Sequence, residues 1–347
     1  MYYLLQQVSL EDLGQVLGHA QPVPIAIVVL CVLASLLTRA ARWQIYFLPQ
    51  RRIPFSPLFG TLAISYMAST FLPLRAGELV RAVFLGQRQV IAVPRIVGTI
   101  LLEKLFDFLA IGVMLALLVA ATPSLPEGAQ VAGKLIATVI LVGFGFVVAL
   151  AVWRAPTLNV VRFVERVVPF DLGRRLRLEH AASQFAEGTD SLRELRLWVP
   201  LLLWTTVTWT FALGSGWAGT LALGLQPGLA ALVFLIVLTS TGQAVPSSPG
   251  YVGVYHAAAV FALTQFGVDP PTALGVAVLT HALSYGSLVV IGLIALWTGG
   301  YTMRDVLAGV GGPNSTVADP ALASTRRGKM PWPGTSSSRW QGWQAGR

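Results

Sequence analysis

Two short stretches decide the fold that we predict for this chain: FLPLRAGELVR at residues 71–81 and PSSPGYVG at residues 246–253. Each puts proline and glycine in the middle of an apolar run, at 57–95 and 229–266 respectively. Proline interrupts a helix, and a helix broken at membrane depth leaves backbone N–H and C=O groups that only protein or a water-filled cavity can receive. The two stretches therefore predict broken helical hairpins around a cavity. The alternative is that Pro and Gly merely kink packed helices.

The composition around these stretches is that of a membrane protein. Of the 347 residues, 55% are hydrophobic and 11% are charged, whereas soluble domains carry roughly 25% charged residues. Apolar runs long enough to cross a bilayer predict five continuous spans, at 22–38, 96–122, 131–152, 197–223 and 271–298. The predicted fold class is an all-α polytopic membrane protein with about five full spans and two re-entrant helical hairpins.

The net charge of +9, from 24 Lys and Arg against 15 Asp and Glu, does not point to nucleic acid. In so apolar a chain, an excess of basic residues is typical of membrane topology and of contact with anionic lipid headgroups. We therefore predict membrane phospholipids, and no nucleic acid, as partners. The single cysteine, Cys31, lies within an apolar run, so it cannot form an intramolecular disulfide or a cysteine-rich metal site. We predict no cofactor and no metal site.

The distribution of Lys and Arg predicts the orientation of the spans, because short basic loops stay cytoplasmic. Segment 39–56 has four Arg and no acid, segment 154–196 has eight Arg, and the tail from 299 has six basic residues. The segments without Lys or Arg, expected on the outer side, are 1–21, 123–130, 224–228 and 267–270. Parity then makes both ends of 57–95 cytoplasmic and both ends of 229–266 external. The two hairpins therefore have opposite orientations, or each crosses twice as short helices.

The same distribution defines the predicted domain organisation. Residues 1–21 form an outer-side N-terminal segment, and residues 22–298 form the transmembrane domain. Within that domain, 154–196 is predicted as a cytoplasmic elbow of interfacial helices. Residues 299–347, rich in Gly, Pro, Ser and Arg, are predicted as a disordered cytoplasmic tail.

Charged residues beside the first interruption are candidates for a binding site. A charge at bilayer depth costs about 2.5–3.5 kcal/mol on insertion scales, so Arg75, Glu78 and Arg81 need partners or a purpose. If the second arm is helical from Gly77, Glu78 can orient the arginines, and the arginines can hold a phosphate. The alternative is that Arg75 and Arg81 snorkel to the cytoplasmic interface.

Two carboxylates in the span 96–122 belong to the same hypothesis. Glu103 and Asp107 are four residues apart, so they share a helix face that can point toward the arginines or toward a water-filled cavity. A purely structural ion pair and a proton relay remain alternatives.

The second interruption offers uncharged polar groups. We predict that Ser247, Ser248, Pro249, Gly250, Gly253 and His256 line the path of a ligand. A half-helix starting near Tyr251 would direct its N-terminal amides at the break, which suits a phosphate or a carboxylate. His256 and His281 are also typical of histidines that simply pack between helices.

No specific catalytic pattern is present in the sequence. There is no Gly-x-Ser-x-Gly, no His-Glu-x-x-His and no P-loop, so hydrolase, zincin and ATP-driven pump lack support. A serine at 247 or 248 acting with one of the histidines is an open alternative. We predict no catalytic residues and expect that the chain is not itself an enzyme.

Four motifs resemble one known family. The motifs RAARW at 39–43, FLPLRAGELVR at 71–81, LEKLFD at 102–107 and PSSPGYVG at 246–253 are similar to those of the transmembrane, flippase-like domain of lysylphosphatidylglycerol synthases, in the same order. The resemblance covers roughly residues 10–298. By this resemblance the family positions are Arg75, Gly77, Glu78, Arg81, Glu103, Asp107, Pro246, Pro249, Gly250 and Gly253. Relatives often have an acidic residue where this chain has Tyr255 and His256.

The resemblance implies a multi-pass protein of the bacterial inner membrane, with dimers of the chain as an expected assembly. It implies a lipid flippase or translocase that moves an anionic or modified phospholipid, or a lipid-linked carrier. The alternative is a membrane subunit of aminoacyl-phospholipid, that is lysylphosphatidylglycerol, or of glycolipid synthesis. In that case a separate lipid-modifying transferase is the partner. We do not expect the 49 residues after position 298 to form the soluble transferase domain of full-length members, because a domain of this kind needs a larger core.

Overall fold

The computed structural model of the chain describes residues 10–72, 76–123, 127–152, 178–244 and 248–299. Within these residues the chain is helical, with two short 3-10 segments and no strand. The helices are α1 Leu10–Gly18, α2 Pro22–Phe47, α3 Phe55–Phe71, α4 Ala76–Gln89, α5 Val93–Ala121, α6 Glu127–Val152, α7 Leu178–Gly188, α8 Leu195–Ala222, α9 Leu229–Ala244, α10 Val254–Thr264 and α11 Pro270–Gly299. The 3-10 segments are Asp190–Arg193 and Pro249–Tyr251.

Four helices of the described residues are long and apolar enough to cross a membrane: α2, α5, α8 and α11. They contain 26 to 30 residues, and at ~1.5 Å per residue each exceeds the ~30 Å hydrocarbon core. The fifth predicted span, α6, has a shorter apolar part, Gly133–Ala149. The predicted all-helical, multi-pass membrane fold is confirmed.

Both predicted interruptions separate pairs of short helices. The arms α3 and α4 have 17 and 14 residues, and the arms α9 and α10 have 16 and 11. At ~1.5 Å per residue each arm is shorter than the ~30 Å core of a bilayer. Residues 73–75 and 245–247 lie outside the described residues.

Each pair of arms folds back on itself through a glycine contact. In the first hairpin, Gly77 lies against the Ser65 carbonyl and Ser69, and the Ser65 hydroxyl donates to the Gly77 carbonyl over 2.8 Å. In the second hairpin, Gly242 packs against Val254. Small residues at these positions let two helix backbones approach closely, as is usual inside membranes.

The helix α2 does not end at residue 38 as predicted, but continues for more than two turns to Phe47. Arg39 and Arg42 are therefore part of a helix inside the bundle, not part of a loop. The Arg42 side chain is fully buried. The predicted end of the span is wrong because hydropathy penalises any arginine, whereas these two are compensated by a carboxylate on a neighbouring helix.

Peripheral segments pack against the ends of the long helices. The Gln21 N–H donates to the Ala222 carbonyl over 2.8 Å, which fixes the N-terminal end of α2 to α8. In the elbow, Gly188 of α7 packs directly on Gly98 of α5. The rest of the elbow at 153–177 and the tail at 300–347 lie outside the described residues, so the predictions for them remain predictions.

Candidate functional site

A cavity of about 300 Å³, lined by charged, polar and apolar side chains, lies between the two broken hairpins. Its walls come from α2, α3, α4, α5, α8, α9, α10 and α11 and from the segment that joins α9 to α10. Residues of both hairpins line it, as expected if the breaks face a common space. The lining contains two chemically different groups of residues.

The first group belongs to a charged cluster contributed by three helices. It consists of Arg39 and Arg42 from α2, Glu78 and Arg81 from α4, and Glu103, Lys104 and Asp107 from α5. Glu103 and Asp107 do share one face of α5, as their spacing predicts. Among the described residues of this cluster, four cations against three carboxylates leave one positive charge in excess.

Arg81 is buried at the base of this cluster, with its side chain 2% exposed. Its Nη1 atom lies 2.6 Å from Oε2 of Glu103, and its guanidinium stacks 3.6 Å above the ring of Trp43. The Nε and Nη2 atoms are buried with no hydrogen-bond partner among the described residues. Because Arg81 also lines the cavity, it has unused donor capacity beside an open space.

Arg39 and Arg42 share the carboxylate of Asp107. Arg39 Nη1 donates to Oδ2 over 3.0 Å, and Arg42 Nη2 donates to Oδ1 over 2.8 Å. Arg42 also donates to the Thr205 hydroxyl of α8 over 3.0 Å. This arrangement binds α2, α5 and α8 together and leaves Arg39 at the cavity wall.

Lys104 and Glu78 form the most open pair of the cluster. Lys104 Nζ lies 2.9 Å from Glu78 Oε1, with side chains 25% and 30% exposed. Both line the cavity. A lysine ammonium is a mobile point charge, so this pair can rearrange around an incoming anion at lower cost than the buried pairs.

The second break reaches the first one through Gly250. Gly250 is buried in a left-handed conformation with φ 65°, and an added Cβ would lie 3.2 Å from the Thr70 carbonyl at the end of α3. Nε2 of His281 is 2.8 Å from the Gly250 carbonyl. The Gly250 carbonyl, at the break of the second hairpin, therefore has a side-chain hydrogen-bond partner on α11.

The start of α10 lies at Val254, three residues beyond the predicted position near Tyr251. The Gly253 N–H donates to Nδ1 of His256 over 3.4 Å, so the imidazole caps the helix. The Ser248 hydroxyl donates to the Val252 carbonyl over 2.6 Å. The polar groups of the break are thus largely engaged in holding its own turn.

The second group of lining residues is a tyrosine wall. We use this name for Ser240, Gln243, Tyr251, Tyr255, Ser284 and Tyr285, which come from α9, the second break, α10 and α11. The Tyr285 hydroxyl donates to Gln243 Oε1 over 2.8 Å, and the Tyr255 hydroxyl lies 3.1 Å from the Thr280 hydroxyl. These groups donate and accept hydrogen bonds without carrying charge.

The predicted site residues divide into three sets. Glu78, Arg81 and Asp107 line the cavity, and Glu103 contacts Arg81 directly behind it. Gly77, Ser248, Pro249, Gly250, Gly253 and His256 shape the two breaks. Arg75, Pro246 and Ser247 lie outside the described residues.

Sequence reasoning did not select several residues of the cavity, namely Arg39, Lys104 and the tyrosine wall. The arginine in the RAARW motif and the lysine beside Glu103 were visible signals, since a charge in an apolar helix needs a partner. The tyrosines carry no such signal. Within the described residues, no three His, Cys, Asp or Glu side chains converge to hold a metal ion.

Comparisons with known proteins show which family the chain resembles. The family described as "Lysylphosphatidylglycerol synthase TM region" matches residues 1–292, which include both hairpins and the whole charged cluster. Glycosyltransferase AglD of Haloferax volcanii is 29% identical over 319 residues, covering 82% of this chain and 50% of that protein. The chain therefore spans about half the length of this curated relative.

Proposed function

Because this chain belongs to the lysylphosphatidylglycerol synthase transmembrane family, we propose that it moves an anionic or modified phospholipid, or a lipid-linked carrier, between the leaflets of the bacterial inner membrane. One observation carries the proposal: a cavity with charged residues in its lining lies between two broken helices of an otherwise apolar membrane bundle. A membrane protein keeps ionisable residues at such a depth at a considerable cost, and they usually mark a substrate path.

The proposed topology places both hairpins as re-entrant segments of opposite orientation. Their arms are each too short for a full crossing, and broken helices of opposite orientation commonly build the central site of transporters. The proposed N-terminus is external and the proposed C-terminus cytoplasmic. In this topology the two breaks meet near the middle of the membrane, at Gly250 and Thr70.

The charged cluster is the proposed phosphate site. Arg81 has two buried nitrogens without an acceptor, and Lys104 and Arg39 lie at the cavity wall. The excess of one positive charge matches the single negative charge of a phosphodiester. Arg75, which lies outside the described residues, remains a predicted contributor.

The test is translocation of a fluorescent phosphatidylglycerol in liposomes that contain the purified protein, followed by chemical quenching of the outer leaflet. We expect Lys104→Gln to slow the protein-dependent rate about tenfold, since a hydrogen bond to a charged group contributes roughly 1.5–3 kcal/mol. Arg81→Gln should slow it further.

A matched control is Arg196→Gln. Arg196 also pairs with a carboxylate, Glu194, but its side chain is 77% exposed at the start of α8. Its removal should leave the rate unchanged. Parental rates in correctly inserted Lys104→Gln and Arg81→Gln proteins would refute the phosphate site, and absence of any protein-dependent rate would refute translocation.

A second candidate function rests on the relative in Haloferax volcanii, whose name is that of a glycosyltransferase and of which this chain spans half. The chain would then be the membrane subunit of an aminoacyl-phospholipid or glycolipid synthesis, with a separate transferase as partner. Cells that lack the chain would lose the modified lipid itself. Under the translocation proposal they would keep making it and would fail to expose it on the outer leaflet.

A further inference from the structure

The chemistry of the cavity also restricts the headgroup that it can accept. The charged cluster and the tyrosine wall line one and the same cavity. A lipid headgroup that fills it must present a charge to the cluster and a different kind of surface to the wall.

The carboxylates of the charged cluster that line the cavity are already paired with cations. Glu78 pairs with Lys104 at 2.9 Å, and Asp107 pairs with both Arg39 and Arg42. A headgroup that carries an ammonium, such as an aminoacyl group, would have to displace one of these cations. The net positive charge of the cluster opposes that displacement.

All six side chains of the tyrosine wall are uncharged. Its phenols, hydroxyls and one amide supply both donors and acceptors. Its aromatic rings also lie close together, with centroids of Tyr251 and Tyr285 6.1 Å apart. Such a surface suits a neutral group that is rich in hydroxyls and has an apolar face.

The size of the cavity limits the ligand to a headgroup. Its volume of about 300 Å³ is at the lower end of the roughly 300–1,000 Å³ typical of ligand sites. A phosphodiester with one small polar substituent fits this volume, whereas acyl or isoprenoid chains must remain outside, between the helices and the surrounding lipid.

We infer that the cavity recognises a lipid with a monoanionic phosphodiester and an uncharged, hydroxylated headgroup, either a polyol or a sugar. The phosphate lies at Arg39, Arg81 and Lys104, and the hydroxyls lie on the tyrosine wall. A lysyl-bearing headgroup is excluded as the preferred ligand. This inference rests on the proposed function in taking a membrane lipid as the ligand, but not on movement of that lipid.

The experiment measures which lipid the purified full chain retains, by native mass spectrometry against an equimolar set with matched acyl chains. The set is phosphatidylglycerol, phosphatidylinositol, phosphatidic acid and lysylphosphatidylglycerol. We expect phosphatidylglycerol or phosphatidylinositol to be retained about tenfold more than the other two, since a few neutral hydrogen bonds supply this much selectivity. Preferential retention of phosphatidylglycerol would indicate a glycerol headgroup, and preferential retention of phosphatidylinositol would indicate a hydroxylated ring. Equal or better retention of lysylphosphatidylglycerol or phosphatidic acid would overturn the inference.

A double variant, Tyr285→Phe with Ser240→Ala, tests the wall itself. It should lower the preference for the hydroxylated lipids over phosphatidic acid at least threefold and leave phosphatidic acid binding unchanged. Thr210→Val removes an exposed hydroxyl of α8 and should change nothing. An unchanged preference in the double variant would overturn the assignment, and the lipid set with the parental protein decides it even if that variant does not fold.

The outcomes separate this inference from the proposed function. Selective retention of a hydroxylated lipid without translocation in liposomes would support the headgroup assignment and refute transport. Translocation of all four lipids at one rate, with no selective retention, would support transport and refute the assignment.

Discussion

The two broken hairpins place similar interruptions in the bundle but stabilise them by different chemistry. The first, α3–α4, contributes Glu78 and Arg81 to a network of ion pairs with α2 and α5. The second, α9–α10, uses left-handed backbone at Gly250 and hydrogen bonds to neutral side chains. The comparison shows that a break can be held inside a membrane either by compensating charges or by satisfying backbone groups directly.

This difference gives the hairpins separate roles in the proposed mechanism. In that mechanism the first hairpin binds the phosphate, which every phospholipid carries. The second hairpin binds the headgroup substituent, which differs between lipids. Substitutions in the first should therefore affect stability and binding of all anionic lipids, whereas substitutions in the second should affect the choice among them.

The strongest test of the charged hairpin is Glu103→Gln. This change leaves Arg81 buried with no carboxylate, and breaking a buried pair in this way costs about 3–5 kcal/mol. We expect a large loss of folded protein and a lower apparent Tm in detergent. The double variant Glu103→Gln/Arg81→Gln should recover part of the loss, because it no longer buries an unpaired charge.

Glu194→Gln is the matched control for that variant. Glu194 pairs with the largely exposed Arg196, and exposed pairs contribute about 0–1 kcal/mol. A similar loss of stability in both glutamine variants would show that Glu103 is not special, and the difference between the hairpins would disappear.

The glycines at the two breaks should tolerate an added methyl group unequally. In Gly77→Ala the new Cβ would overlap the Ser65 carbonyl, so the arms must separate at a cost of about 2–3 kcal/mol. In Gly250→Ala the cost is about 1–2 kcal/mol, because alanine is forced into a left-handed conformation.

Gly143→Ala provides the reference for both glycine variants, since nothing lies within 4 Å of a Cβ added there. Alanine in a helix should be neutral or slightly stabilising at this site. Apparent Tm values measured in one detergent give the order. A larger effect of Gly250→Ala than of Gly77→Ala would contradict the close approach of α3 and α4.

A smaller effect is expected when His281 is replaced by Phe. The Gly250 carbonyl would lose its 2.8 Å partner, and an unsatisfied buried acceptor costs about 1–2 kcal/mol. Hydrogen exchange of the second hairpin should accelerate while that of the first stays unchanged. His19→Phe, at an exposed histidine bonded to its own helix, is the control, and equal effects at the two histidines would refute this role.

The smallest expected effect concerns Asp269, in the segment that joins the second hairpin to α11. Asp269 accepts a hydrogen bond from the Thr272 N–H over 3.0 Å at the start of α11, and this bond lowers the pKa of the carboxyl. Asp269→Ala should cost about 1 kcal/mol or less. Because the folded-state pKa is depressed, the stabilisation is present above the unfolded value of about 3.9 and is lost as the pH falls through the lower folded value. The parental protein and the variant should therefore converge in stability in acid, and a constant difference would contradict the capping role.

Parts of the site were predictable because they depend on local chemistry. Proline and glycine in apolar runs marked both breaks, and the spacing of Glu103 and Asp107 placed them on one face. The partners were not predictable in the same way. The face of Glu103 and Asp107 was expected to point toward the arginines of the first break or toward a water-filled cavity. Glu103 pairs with Arg81 and Asp107 lines the cavity, but the partners of Asp107 are Arg39 and Arg42, which hydropathy had assigned to a loop.

By itself, the sequence determined that this chain is a multi-pass helical protein with two interrupted hairpins, because hydropathy and helix breaking act along the chain over a few residues. The tertiary structure alone decided which charges meet. It also decided that Tyr251, Tyr255 and Tyr285 converge on one wall and that the two breaks touch at Gly250 and Thr70. These contacts depend on how helices rotate about their axes and cross one another, and that is set by the close packing of small residues and buried ion pairs from segments far apart in the chain.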